Sequence, residues 1–403
     1  METAPPQSSS LSRHATDTAD SHSALDSPSA LEHFSGTIFK SLRRIDQRKC
    51  AHAYLSGLLA TPGKKTLRRI AAGISRDPSV VQSLRQFVSL SPWGFDDVME
   101  EITRWVAHRR PRTVWSIGRV VLPKRGDKSV GVHRRFDLHS SRTLNCQLGL
   151  GSFLHVDAAQ VPVDWCLYLP RAWTQDSARR RDARIPDSEQ YLPMWAHALR
   201  LVDRLSARLG SPSSVVLADM SHDPDVGYLV RGLAMRRRDV VVAVPPQLAV
   251  LPVGEASPAP VSARSLVHAQ QAEGDVTAQA DGQQRSAVPH CALVHLPGSF
   301  PGHSPGPPYR LFTDGGAAGA PGRLWLTSLV HDSPGAVAAM TALTGGTTAV
   351  VDALREDFGL LDFAGRSFPG WYHHMALISA AYTFRSLHGA VAPQHRGPAL
   401  RLP

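Results

Sequence analysis

Cysteine is scarce in this 403-residue chain: Cys50, Cys146, Cys166 and Cys291 are scattered with no Cys-x-x-Cys spacing. That pattern excludes a disulfide-stapled scaffold and a cysteine-built zinc module, and it suits a reducing, cytoplasmic compartment. No uninterrupted apolar run reaches the ~18 residues of a membrane span, so no membrane partner is expected. The first residues are polar and acidic and lack the apolar stretch of a signal peptide. A Gly-rich phosphate loop is missing as well, because Gly315-Gly316 and Gly345-Gly346 are not followed by Lys-Ser/Thr. Acids are outnumbered, 34 Asp and Glu against 44 Lys and Arg, which leaves a net charge of +10. Between Arg104 and Arg135 there are ten Lys or Arg and one acid, Asp127. Basic residues clustered in this way point to a polyanion such as DNA, whose counterions they release on binding.

The residues that are present divide the chain. Residues 1–29 are rich in Ser, Thr, Ala, Asp and Pro without periodicity and read as a disordered tail. Residues 30–110 read as a small helical domain of DNA-binding type. Leu31, Phe34, Ile38 and Leu42 recur at helical spacing, and Asp77-Pro78 is a helix start with Asp77 as N-cap. Its outer faces carry Lys64, Lys65 and other cations.

A core runs over residues 111–388, and the tail 389–403 frays. The core opens with three successive strands beginning near Val114, and the basic turn Lys124-Arg125-Gly126-Asp127-Lys128 joins the first two. Val161 to Pro170 alternates as a half-buried strand. A long helix capped by Asp187 or Ser188 stops at Gly210. A β-α-β unit follows: a strand ending at Asp219, a helix from about Pro224 and a strand from Val240 to Val244. Residues 254–320 are rich in Ala, Gly, Pro, Ser and Gln and read as a low-complexity insertion or linker. A strand at Leu324–Leu329, helices near 336–343 and 349–358, and a last helix from Met375 to Leu387 complete the chain.

Several strings resemble the DDE transposases of insertion elements, of the IS701 (IS4-like) type. Tyr54, Gly57, Leu58 and Leu59, then Lys64-Lys65, then Gln86-Phe87-Val88 and Ser91-Pro92-Trp93 match the family's N-terminal pattern in order. Pro162-Val163-Asp164-Trp165-Cys166-Leu167-Tyr168-Leu169-Pro170 and Gly359-Leu360-Leu361-Asp362 through Trp371-Tyr372-His373-His374 match two later ones. The resemblance covers roughly residues 30–250 and 322–388. It implies an α/β fold with an RNase H-like core and the chemistry of three carboxylates holding two divalent ions, Mg²⁺ in an active member.

The three carboxylate positions can be located from the family's motifs. The first falls on Gly118, followed by Arg119. The second is Asp219. The third falls on Thr348, and the family's Lys seven residues later is here Arg355. Asp352 and Glu356 are the nearest acids on that helix. One ligand of three remains, so strand cleavage is expected to be lost, no cofactor is expected, and Asp219 alone would bind Mg²⁺ weakly. Asp219 reads first as a strand-end cap. His373-His374 read as structural, and Ser221-His222-Asp223, being consecutive, do not make a nucleophilic triad.

The leading reading is a transposase-like protein that binds double-stranded DNA without cutting it, with self-association left open. Lys124, Arg125, Lys128, Arg134, Arg135, Lys64, Lys65 and Arg355 are the expected DNA contacts. An active metal-dependent transposase and a remnant without function are the alternatives.

Overall fold

The computed structural model describes residues 28–109, 113–137, 141–210, 214–254, 259–270, 291–298, 306–314 and 322–388. The two expected tails lie outside the described residues, apart from the start of the first helix. Five helices come first: α1 (Pro28–Ile38), α2 (Ile45–Ala60), α3 (Leu67–Ile74), α4 (Ser79–Ser89) and α5 (Phe95–Ala107). The Asp77 carboxylate accepts from the Ser79 backbone N–H at 2.8 Å and sets the turn that enters α4. Phe34, Leu55, Leu58, Ile70, Phe87 and Val98 of these helices join the core of the rest of the chain.

The sheet begins with β1 (Val114–Pro123), β2 (His133–Asp137), β3 (Arg142–Val156) and β4 (Ala159–Leu167). β1 pairs antiparallel with β3, setting Gly118 opposite Gly151, and β3 pairs antiparallel with both β2 and β4. β5 (Val215–Asp219) lies parallel to β1 on its other side, with Ile117 beside Ala218, and β6 (Asp239–Val244) lies parallel to β5. An antiparallel meander followed by two parallel strands, in the order β4-β3-β1-β5-β6, is the RNase H-like arrangement that was expected.

Helices cover both faces. α8 (Met194–Leu209) and α9 (Val226–Met235) pack on one, where Trp115, Val216 and Ala218 meet Leu205, Val230 and Leu233. On the other, α10 (Pro334–Thr341) and α11 (Leu343–Asp357) bring Val337 and Met340 against Val114, Leu217 and Trp325. Two short helices, α6 (Arg171–Thr174) and α7 (Ser177–Ala183), precede α8. The last helix, α12 (Phe368–His388), is buried along most of its length, as expected for a helix apolar on every side. It lies between β4 and the N-terminal helices: Trp165 Nε1 donates to Ser379 Oγ at 2.8 Å, and the Leu167 N–H donates to the Tyr372 hydroxyl at 3.2 Å.

The structure corrects several expectations. Residues 254–320 hold sheet: β8 (Val261–Ser262), β9 (Cys291–His295) and β10 (Tyr309–Thr313) fall there. With β7 (Ala249–Pro252) and β11 (Leu324–Thr327) they extend the sheet beyond β6 in the order β11-β10-β9-β7-β8. The low-complexity stretches between these strands lie outside the described residues. β4 is buried on both faces, because Asp164 spends its charge on two arginines and needs no solvent. α8 starts at Met194, after Pro193, instead of at Asp187 or Ser188. α12 starts at Phe368, so His373 and His374 are helical. One helical stretch among the described residues, Pro334–Asp357, is long and apolar enough by length and composition to cross a bilayer, although polar residues interrupt its apolar run. Here it is divided at Ala342 into α10 and α11, whose apolar residues cover the sheet.

Candidate active-site groove

Two of the three expected ligand positions lie side by side, Gly118 midway along β1 and Asp219 at the end of β5, while the third, Thr348, lies exposed on α11. Gly118 and Asp219 occupy neighbouring positions on parallel strands, one step beyond the Ile117–Ala218 pair, so they share a face. α11 crosses that face with Thr347 against Gly118. A Cβ at Gly118 would stand 2.6 Å from the Thr347 Cγ2 methyl and 3.0 Å from the Phe153 ring. The space for a side chain at 118 is therefore already filled. Thr347 is held in place, since it is buried and its hydroxyl donates to Gln160 Oε1 at 2.8 Å. Thr348 is exposed and turns its hydroxyl back to the Thr344 carbonyl at 3.3 Å. By the 100° per residue of an α-helix, Asp352 and Glu356 lie about 140° and about 180° round α11 from Thr347, so neither faces Gly118.

Asp219 is the one carboxylate of the set. Its Oδ1 accepts from the Ser221 N–H at 3.1 Å and the Ser221 hydroxyl at 2.7 Å, and its Oδ2 lies 3.1 Å from Arg323 Nη1. It caps its turn, as expected, and is ion-paired as well; nothing in the sequence announced Arg323 as its partner. Burial pushes the nearby His222 imidazole below its ordinary pKa, and Arg119 adds to that shift. Burial pushes the Asp223 carboxyl up. These residues do not fit a pair of divalent ions. Mg²⁺ takes hard oxygen ligands and dehydrates reluctantly, whereas here a single carboxylate is shared with a guanidinium and faces a methyl-filled gap. Among the described residues no group of three or more His, Cys, Asp or Glu is arranged to hold a metal ion.

The expected DNA contacts separate into two groups. Arg125, Lys128 and Arg134 are exposed on the β1–β2 turn and on β2, with Arg135 half-buried beside them. Gly126, at a φ of +75°, takes the left-handed conformation that lets this turn fold back. Lys64 is exposed too. Lys65 is a correction: it is buried, its ammonium donates to the Thr61 carbonyl, and its backbone N–H donates to Asp362 at 2.6 Å. Lys124 is half-buried, its ammonium held 3.0 Å from the Phe363 carbonyl, and burial lowers its pKa. Arg355 is exposed but ion-paired with Asp352 at 2.8 Å. Lys65 and Lys124 therefore hold the segment before α12, which is what their place in the motifs serves here.

His373 and His374 are structural. The two His373 ring nitrogens each lie 2.9 Å from a carbonyl, those of Val88 and Trp93, and Trp93 stacks on the ring at 3.7 Å. His374 meets the Gly359 carbonyl at 3.1 Å, and burial lowers its pKa to about 3. Below its ordinary value of 6.5 the unfolded chain protonates this histidine while the folded chain does not. The stability from keeping it neutral is complete above pH 6.5 and is lost as pH falls towards about 3. The expected result is that His374→Gln flattens the fall of the unfolding free energy, read from urea titrations between neutral pH and pH ~4, by up to about 1.4 kcal/mol per pH unit. A variant whose unfolding free energy falls as steeply as that of the wild type would contradict it.

A strand meander closed by two parallel strands, with a carboxylate at the end of the first parallel partner and a helix crossing above, defines a core of the RNase H-like nuclease and transposase class. Residues 37–292, more than half of the chain, match the family of DDE superfamily endonucleases, and the chain belongs to that family. Among solved structures it is similar to the piggyBac transposase in a synaptic complex with hairpin DNA. That likeness has 10% identity and a TM-score of 0.39, over 96% of this chain and 87% of the other. No curated protein matches it.

Proposed function

We propose that this chain is a DDE transposase derivative of the IS701 type that binds double-stranded DNA and neither cleaves nor transfers strands. The observation that carries the loss of cleavage is the packed gap at Gly118: the Thr347 methyl occupies the volume a first carboxylate would need. The ion pair of Asp219 with Arg323 supports it, because a cation already balances the remaining ligand. Binding is supported by the exposed cations Arg125, Lys128 and Arg134 around the turn after β1. They lie near the end of the strand that carries Gly118, so a duplex held by them would pass the groove.

The test is one gel series with supercoiled plasmid and fragments of the source DNA, in Mg²⁺ and in Mn²⁺. Salt-sensitive retardation without nicking is the expected result. Metal-dependent nicking abolished by Asp219→Ala would overturn the proposal and restore an active enzyme. A folded sample that neither binds nor nicks would leave a remnant. The triple variant Arg125→Ala, Lys128→Ala, Arg134→Ala is expected to reduce the slope of log affinity against log salt by about 0.9 for each phosphate no longer neutralised, roughly 3 in all. An unchanged slope would place the duplex elsewhere.

A further inference from the structure

A hollow beside the carboxylate groove has no part in the family's metal chemistry. It measures about 1150 Å³ and opens between the start of α9, the turn from Val244 to Ala249, helical residues 263–270 and the strand-end segment at Leu296–Gly298. Arg231, Arg264, Arg323, His222 and His268 line it, against one acid, Asp225. Its rim carries Tyr228, an aromatic ring left 49% exposed. Trp195 stacks behind that ring at 5.4 Å and 24°, and the Arg231 guanidinium sits 5.4 Å from its centroid. Arg231 gives one N–H to the Pro297 carbonyl at 2.9 Å, and its Nε is buried without a hydrogen-bond partner. His222 and Asp225 also line a smaller hollow of about 280 Å³, where Arg119, Arg134 and Arg135 stand with Asp219 and Asp223.

Size, charge and shape select the ligand. Pockets for single small molecules run to roughly 1,000 Å³, and this one is larger and shares His222 and Asp225 with a second, so an extended ligand suits it. Spaced guanidiniums along one trough suit successive phosphates. A rigid, backed and exposed aromatic face suits a base with a free face of its own, and every base has one once it is unpaired. Bases inside a duplex are already stacked on each other and offer Tyr228 no face. We propose that this hollow binds unpaired nucleotides, a single-stranded stretch or frayed end of the DNA held at the β1–β2 turn. The inference rests on the DNA-binding reading for its ligand class but concerns different residues.

The test uses the full chain and two fluorescent probes in anisotropy titrations at one salt concentration: a short oligothymidylate and a covalently closed dumbbell duplex without ends. The wild type is expected to bind both. Tyr228→Ala is expected to weaken the oligothymidylate about tenfold, within the range set by losing one base–aromatic stack, and Tyr228→Trp to restore it. Arg264→Ala, at an exposed position, is expected to weaken the same probe. Neither alanine variant should change the dumbbell affinity, and unchanged thermal midpoints will show that both are folded. Full oligothymidylate affinity in Tyr228→Ala, or an equal loss for both probes, would overturn the inference. A wild type that binds the dumbbell and not the oligothymidylate would overturn it and leave duplex binding standing. A wild type that binds only the oligothymidylate, through Tyr228, would support it and overturn the duplex reading.

Discussion

Asp164→Ala is expected to lower folding stability by about 3–5 kcal/mol, the range measured when one partner of a buried ion pair is removed. Asp164 is fully buried in β4. Arg204 reaches it with two nitrogens, each at 2.8 Å, and Arg208 with a third at 3.0 Å. Its own chain adds the Trp165 N–H at 2.7 Å. Burial pushes the carboxyl up, and the two guanidiniums oppose that push. Removing the carboxylate leaves two arginines of α8 partly sheltered from water, with carbonyls, the Cys166 sulfur and the exposed Asp96 of α5 around them. The cost is thus mainly that of stranded charge, beyond the energy of the hydrogen bonds themselves. Asp164→Asn keeps the shape and half of the acceptors and is expected to fall between wild type and alanine. Urea midpoints of the three proteins decide the matter, and a loss below about 1 kcal/mol for alanine would show that the pair contributes no more than an exposed one. The site ties β4 to α8 and, through Asp96, to the helical layer.

What the sequence revealed and what it hid follow from the range of the forces involved. The helices up to α5 and the β5-α9-β6 unit were legible because apolar periodicity is local, and the end of α8 because Gly210, at a φ of +60°, stops it after Leu209, whereas the cap position of α4 is Pro78 and not the expected Asp77. Gly118 and Asp219 lie on adjacent strands, Gly118 midway along β1 and Asp219 at the end of β5. β9 and β10 were missed because each is five residues long and separated by stretches without periodicity, with Cys291 and Leu293 facing solvent. Lys65 read as a surface cation in a Lys-Lys turn; its burial depends on Asp362 and the segment before α12, which no local pattern encodes. The Arg323 partner of Asp219 and the Arg204–Asp164 pair depend in the same way on distant parts of the chain. Thr347 carried no signal in the sequence, and only the packing shows that it faces Gly118.

That threonine supplies the second large effect. Gly118→Asp, which places a carboxylate at the first position expected from the family motifs, is expected to destabilise by about 1–3 kcal/mol and to give no metal response, because it overpacks a filled space. The atom in the way is one methyl, the Thr347 Cγ2 at 2.6 Å from the required Cβ. Thr347→Ser deletes that methyl and keeps the hydroxyl that bonds Gln160. The double variant is therefore expected to be more stable than the sum of the single changes predicts, with a coupling of about 1 kcal/mol or more. The Phe153 ring, at 3.0 Å, can account for a remainder. Two carboxylates would then share one face of β1 and β5, with Arg323 still on Asp219. Adding Arg323→Ala is expected to produce a rise of the thermal midpoint with Mg²⁺ that the wild type lacks, since the ion then replaces the guanidinium as the balancing charge. Additive single effects would show that the methyl is not the obstacle. A stable Gly118→Asp protein with its own Mg²⁺-dependent midpoint would show that the groove has room for the metal.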